Sequence, residues 1–90
     1  MTESGTNIDK VLAAIIDIVQ RIAKPTVAIT SDTVLQEDVG LTSLQVMDLV
    51  LEVEEEFDIS FPMNRLPDIQ TAGDLATEVH GVIESSEGNG

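Results

Sequence analysis

Few side chains in this 90-residue chain could make or break a covalent bond. It has no cysteine and a single histidine, His80. Without a thiolate there is no disulfide and no sulfur ligand for a metal, and thioester chemistry needs a thiol carried by a prosthetic group. No nucleophile-elbow pattern surrounds any serine, so a Ser-His-Asp hydrolase is unsupported. The serine best placed for chemistry is Ser43, between the loop-like stretch Asp38-Val39-Gly40-Leu41-Thr42 and a helical pattern. The start of a helix offers free N–H groups and a positive dipole end, so a phosphodiester on Ser43 would have its charge partly offset. If another enzyme performs the transfer, the hydroxyl needs no activation within the chain. A serine at such a junction also serves as a plain helix cap, its oxygen accepting a backbone N–H.

The helix that begins there has two apolar faces. At about 100° per residue, Val46, Leu49, Val50, Val53 and Phe57 fall on one side, an ordinary core stripe. Leu44, Met47 and Leu51 fall on roughly the opposite side. Asp48, Glu52, Glu54 and Glu55 surround this second stripe, Glu37 and Asp38 precede it, and no base occurs from Glu37 to Asp58. Acids around an exposed apolar strip attract a basic partner, and the Leu and Met side chains supply contact area. The competing reading is a solvated acidic face with scattered exposed leucines.

The other elements follow from spacing. Ile8, Val11, Leu12, Ile15, Val19 and Ile22 recur every three or four residues and predict a first helix over 7–23, capped by Thr6 or Asn7 and stopped before Pro25. Residues 25–42 predict a long loop, pinned by Ile29, Val34, Leu35 and Leu41, with Gly40 in a turn conformation other residues resist. Phe61-Pro62 opens a short helical turn that Pro67 limits. Thr71, with Asp74 three residues on, predicts a capping box for a last helix whose stripe is Ala72, Leu75, Ala76, Val79, Val82 and Ile83. The expected fold is all-α: a small bundle of three main helices plus one short one, with a long first connection. Its domain covers 7–83, between flexible ends at 1–6 and 84–90.

Composition narrows the partners. Seventeen acids against four bases give a net charge of −13. That charge disfavours nucleic acid and anionic membranes and favours basic proteins. No apolar run approaches the roughly 20 residues of a membrane span, and no secretory pattern opens the chain, so a cytoplasmic monomer is expected.

The stretch Asp38-Val39-Gly40-Leu41-Thr42-Ser43-Leu44 resembles the D-x-G-x-[DT]-S-L signature of acyl carrier proteins. Asp48-Leu49-Val50, then Glu54 to Ile59, then Phe61-Pro62, and finally Ile69 and Thr71 extend the likeness over roughly residues 8–83. The resemblance implies 4'-phosphopantetheine attached to Ser43 by a phosphopantetheinyl transferase. The arm's thiol would hold acyl-type groups as thioesters for acyl-loading and acyl-transfer enzymes with basic docking patches. It implies no catalysis by the chain itself. Leu44, Met47, Asp48 and Leu51 match the docking region, and Glu52, Glu55 and Asp38 are expected to join them as docking residues. Thr42 and Gln45 stand where fatty-acid carriers often have acids, and Pro67 sits inside what is usually the short third helix, which should make that helix shorter. These departures suggest a specialised carrier serving one pathway. The alternatives are an aminoacyl or peptidyl carrier, or an acidic interaction module of the same fold without the arm. A calcium sensor is disfavoured, since no EF-hand loop is present.

Overall fold

The computed structural model describes residues 7–24 and 28–88. Three helices, α1 (Ile8–Ala23), α2 (Ser43–Phe57) and α3 (Ala72–Gly88), form the bundle, with a 3₁₀ helix (Met63–Asp68) between α2 and α3. This is the expected all-α architecture.

α1 is the element against which both α2 and α3 pack. It starts at Asn7, whose Oδ1 accepts the Lys10 N–H at 2.9 Å, and it ends with Lys24 in the left-handed conformation. Its buried residues are Val11, Ile15, Ile18 and Val19, while Ile8 lies at the exposed edge of its stripe. With Leu49, Val50 and Val53 of α2 and Leu75, Ala76 and Val79 of α3, they make an aliphatic core completed by Phe61. Each such Val, Leu or Ile contributes about 1.5–3 kcal/mol by leaving water.

From residue 28 onward the long connection is pinned to the bundle. Ile29, Leu35 and Leu41 are buried, and Val34 is half-buried. Gly40 has φ +86°, the turn conformation expected of it. Thr33 is also buried, its hydroxyl accepting the Thr30 N–H at 2.8 Å. The connection is hydrogen-bonded to the start of α3. Leu35 N–H donates to Gln70 C=O, Ala72 N–H to Thr33 C=O, and Gly73 N–H to Ser31 C=O, at 2.9, 3.0 and 2.8 Å. An isolated antiparallel bridge joins Val34 to Thr71.

α2 ends at Asp58, whose left-handed backbone (φ 56°) suits a short polar side chain. The Glu54 carboxylate accepts the Phe61 N–H at 2.6 Å and pulls the following segment back onto the helix. Pro67 lies inside the 3₁₀ helix, which continues to Asp68 and so is not ended by it as expected, and i→i+3 bonds such as Arg65 N–H to Pro62 C=O hold the turn. Arg65 ties it to α3, its Nη1 lying 3.2 Å from both carboxylate oxygens of Glu78. α3 differs from expectation at its far end. Residues 84–88 continue the helix instead of forming a tail, and Glu84 sits one turn beyond His80, 3.5 Å away. Residues 1–6 and 89–90 of the expected flexible ends lie outside the described residues.

Candidate functional site at the start of α2

Thr42, not Ser43, caps α2. Its Oγ1 accepts the Gln45 N–H at 3.1 Å, and Gln45 Oε1 accepts the Thr42 N–H at 3.0 Å, a complete capping box. The plain-cap reading of Ser43 is thereby replaced. The Thr-x-x-Gln spacing was the sequence signal for the true cap. Ser43 is the first helical residue and is exposed. Among the described residues its hydroxyl enters no hydrogen bond, and the N–H groups of Ser43 and Leu44 donate to nothing. No acid lies in this first turn. A free hydroxyl therefore stands beside two free amides at the positive end of a helix, in a turn without competing negative charge.

Ser43 also lines a groove of about 510 Å³. Val46 and Met47 of α2 form one wall, residues 34–37 of the long connection another, and Leu66, Pro67, Ile69 and Gln70 the third. A volume in the roughly 300–1,000 Å³ range suits a small-molecule group. The two departures Thr42 and Gln45 prove to be partners of one another. Pro67, the third departure, forms part of the groove wall.

The second stripe of α2 is exposed: Leu44 by 71%, Leu51 by 48% and Met47 by 38%. Asp48, Glu52 and Glu55 are exposed beside it. Two nearby acids have structural duties. Asp38 is exposed, but its Oδ2 accepts the Val34 N–H at 2.9 Å while its own N–H donates to Val34 C=O at 2.8 Å. Glu54, read from sequence as part of the acidic fringe, is half-buried and holds Phe61. Met63 on the 3₁₀ helix is a further exposed apolar residue that periodicity did not single out. His80 lies on α3 beside Glu84 and does not line the groove at Ser43. Among the described residues no group of three or more His, Cys, Asp or Glu is placed to hold a metal, and no helix is long and apolar enough to cross a membrane.

A short helical bundle presents an exposed serine at a helix mouth, and comparison with known proteins gives this arrangement a context. Residues 13–79 match the family described as "Phosphopantetheine attachment site". A Caulobacter vibrioides protein named "Probable acyl carrier protein" is 38% identical over 50 residues, 56% of this chain and 58% of its own length. The acyl carrier protein of Exiguobacterium sibiricum is 31% identical over 62 residues, 69% of this chain and 78% of that one. A solved Mycobacterium tuberculosis structure, described as a candidate acyl carrier protein, superposes with a TM-score of 0.71 at 38% identity, covering 77% of this chain and 93% of the other. The chain thus spans a little over half the length of the first of these relatives. It belongs to the phosphopantetheine-attachment family, among the acyl carrier proteins. Its cofactor is accordingly covalent 4'-phosphopantetheine. The site fits the group: the free hydroxyl can be esterified, the helix end can offset the phosphodiester, and the adjoining groove is large enough for part of the arm.

Proposed function

We propose that Ser43 is the attachment point of the arm and that this chain carries acyl-type intermediates as thioesters, presenting them to partner enzymes. The observation that supports this residue above the other hydroxyls is its release from capping by Thr42, together with its position on the groove. In the modification, Ser43 Oγ bonds to the phosphorus next to pantetheine in coenzyme A. The phosphoanhydride bond breaks, adenosine 3',5'-bisphosphate leaves, and the hydroxyl proton passes to the transferase or water. The arm supplies the thiol the sequence lacks. The chain's own contribution is to hold the ester at a helix end, offer the groove, and display a face that partners grip.

That face is the strip of Leu44, Met47 and Leu51 fringed by Asp48, Glu52 and Glu55, with Asp38 at its loop edge. The partners are a phosphopantetheinyl transferase and acyl-loading and acyl-transfer enzymes with basic patches. The acids speed encounter, and the apolar strip gives area on contact. The carrier unit runs from Asn7 into α3 and acts as a monomer. Thr42 and Gln45 in place of acids support a carrier specialised for one pathway. The cargo is an acyl-type group.

Intact mass measurement after incubation with coenzyme A, magnesium and a broad-specificity transferase tests the assignment. We expect a gain of about 340 Da, the mass of the arm on a modified serine, that is absent in Ser43→Ala. Labelling of Ser43→Ala would move the site elsewhere, and an unlabelled wild-type chain would leave an acidic interaction module of this fold.

A further inference from the structure

From the capping geometry we infer that the Thr42–Gln45 pair is the positioning device for modification of Ser43: it occupies the helix cap so that the serine oxygen does not. This rests on Ser43 being the attachment point. Thr42 and Ser43 are adjacent hydroxyl residues, and either can cap a helix. With Thr42 as cap, its Oγ1 takes the Gln45 N–H, Gln45 returns a bond to the Thr42 N–H, and Ser43 is left exposed in the first turn.

If Thr42 could not cap, the helix could begin one residue later. Ser43 would then be the cap and its oxygen would accept the Val46 N–H, which now donates to Thr42 C=O at 2.9 Å. In that register the reciprocal bond is lost, because Val46 has no side-chain acceptor. The serine oxygen would be hydrogen-bonded to the backbone and so withdrawn from the free, exposed state that a transferase must meet. The choice between the two hydroxyls is thus made by Gln45, which can close a box with Thr42 and not with Ser43.

The docking strip separates this from a general loosening of the helix. Leu44, Met47 and Leu51 lie on a face that a one-residue change of cap does not rotate. A trapped serine lowers the reactive fraction of bound carrier and so lowers kcat. A damaged helix would weaken docking and raise KM.

The experiment compares steady-state labelling by one broad-specificity transferase, with coenzyme A and magnesium, for the full-length wild type, Thr42→Ala, Thr42→Ser and Gln45→Ala. Helicity is checked by circular dichroism at the assay temperature. We expect kcat of Thr42→Ala to fall about fivefold with KM unchanged, the penalty if capping by Ser43 is worth about 1 kcal/mol at 1.4 kcal/mol per factor of ten. Thr42→Ser keeps the cap and should stay within about twofold of wild type, and Gln45→Ala should fall between the two. Equal kcat in Thr42→Ala and wild type overturns the inference while leaving Ser43 as the site. So does a loss that Thr42→Ser fails to restore, or one expressed in KM alone. Absence of label on the wild type removes the attachment reading and this inference together.

Discussion

The amino ends of α2 and α3 are built alike through their third residue. Thr42 and Thr71 are the caps, and each hydroxyl accepts the N–H three residues on, from Gln45 at 3.1 Å and from Asp74 at 2.9 Å. Each of those side chains reaches back to the cap. The two starts then part. At α3 the first two helical amides are taken, by the carbonyls of Thr33 and Ser31, and Ala72 is fully buried. At α2 the equivalent amides have no partner among the described residues, and the residue equivalent to Ala72 is the exposed Ser43. Capping chemistry is therefore common to both helices. On the proposed assignment, one of them becomes a site because no segment among the described residues covers it and a hydroxyl follows its cap.

Exchanging character at the first helical position is the sharpest way to break the comparison. Ala72→Ser places a hydroxyl where exposure is 0%, and without a partner it should cost about 1–3 kcal/mol in urea unfolding. Ser43→Ala, the mirror change, should leave the unfolding midpoint unmoved while abolishing labelling. Equal stability losses at the two positions would mean that α2 is as covered as α3.

The second position gives a smaller contrast. A Cβ on Gly73 would lie 2.8 Å from the Ser31 carbonyl oxygen, a backbone atom that cannot swing aside. Overpacking of that kind costs about 1–3 kcal/mol. The gain of about 1 kcal/mol in helix propensity offsets part of it, so Gly73→Ala should lose about 1 kcal/mol net. Leu44→Ala, at the matching place in α2, removes a side chain that is 71% exposed and should stay within about 0.5 kcal/mol in stability. Its effect should appear in partner affinity instead. If Gly73→Ala were as stable as wild type, the contact between the long connection and α3 would not be tight.

How much of this was legible in sequence depends on what kind of interaction carries it. The two faces of α2 could be read because side-chain spacing encodes them, and Val53 at 0% exposure against Leu51 at 48% follows the predicted division. The Thr71–Asp74 box was legible for the same reason. The ladder from Ser31, Thr33 and Leu35 to residues 70–73 was not, because it is made by backbone groups that every residue possesses. Gly73 acquires its meaning only when Ser31 arrives beside it. Glu54 and Asp48 read alike as helix acids, yet Glu54 is bonded to the Phe61 N–H seven residues away. The cap of α2 was misplaced by one residue because two adjacent hydroxyls compete for it. The decisive partner, Gln45, was visible but was taken only as a departure from a family pattern.

The third position separates the two boxes by charge, and acid should reveal it as the smallest of these effects. The Asp74 carboxyl is held below its ordinary 3.8, first by the Thr71 N–H and then by the Gln70 N–H, both 3.1 Å from Oδ2. A carboxyl whose folded-state pKa is depressed contributes stability that is present above its unfolded-state value and is lost as pH falls through the folded one. Gln45 carries no titrating group, so the start of α2 has no such dependence of its own. Thermal unfolding of wild type and Asp74→Asn can be compared from about pH 7 to pH 2.5. The stability difference should be constant down to the ordinary aspartate range, then shrink as Asp74 takes up its proton. Contributions common to both proteins cancel in that difference. The asparagine oxygen can still accept one N–H, so the gap itself is modest. A gap that stays level to the acid end would show that the charge on Asp74 adds nothing to its hydrogen bonds. The two helix starts would then differ only in what covers them.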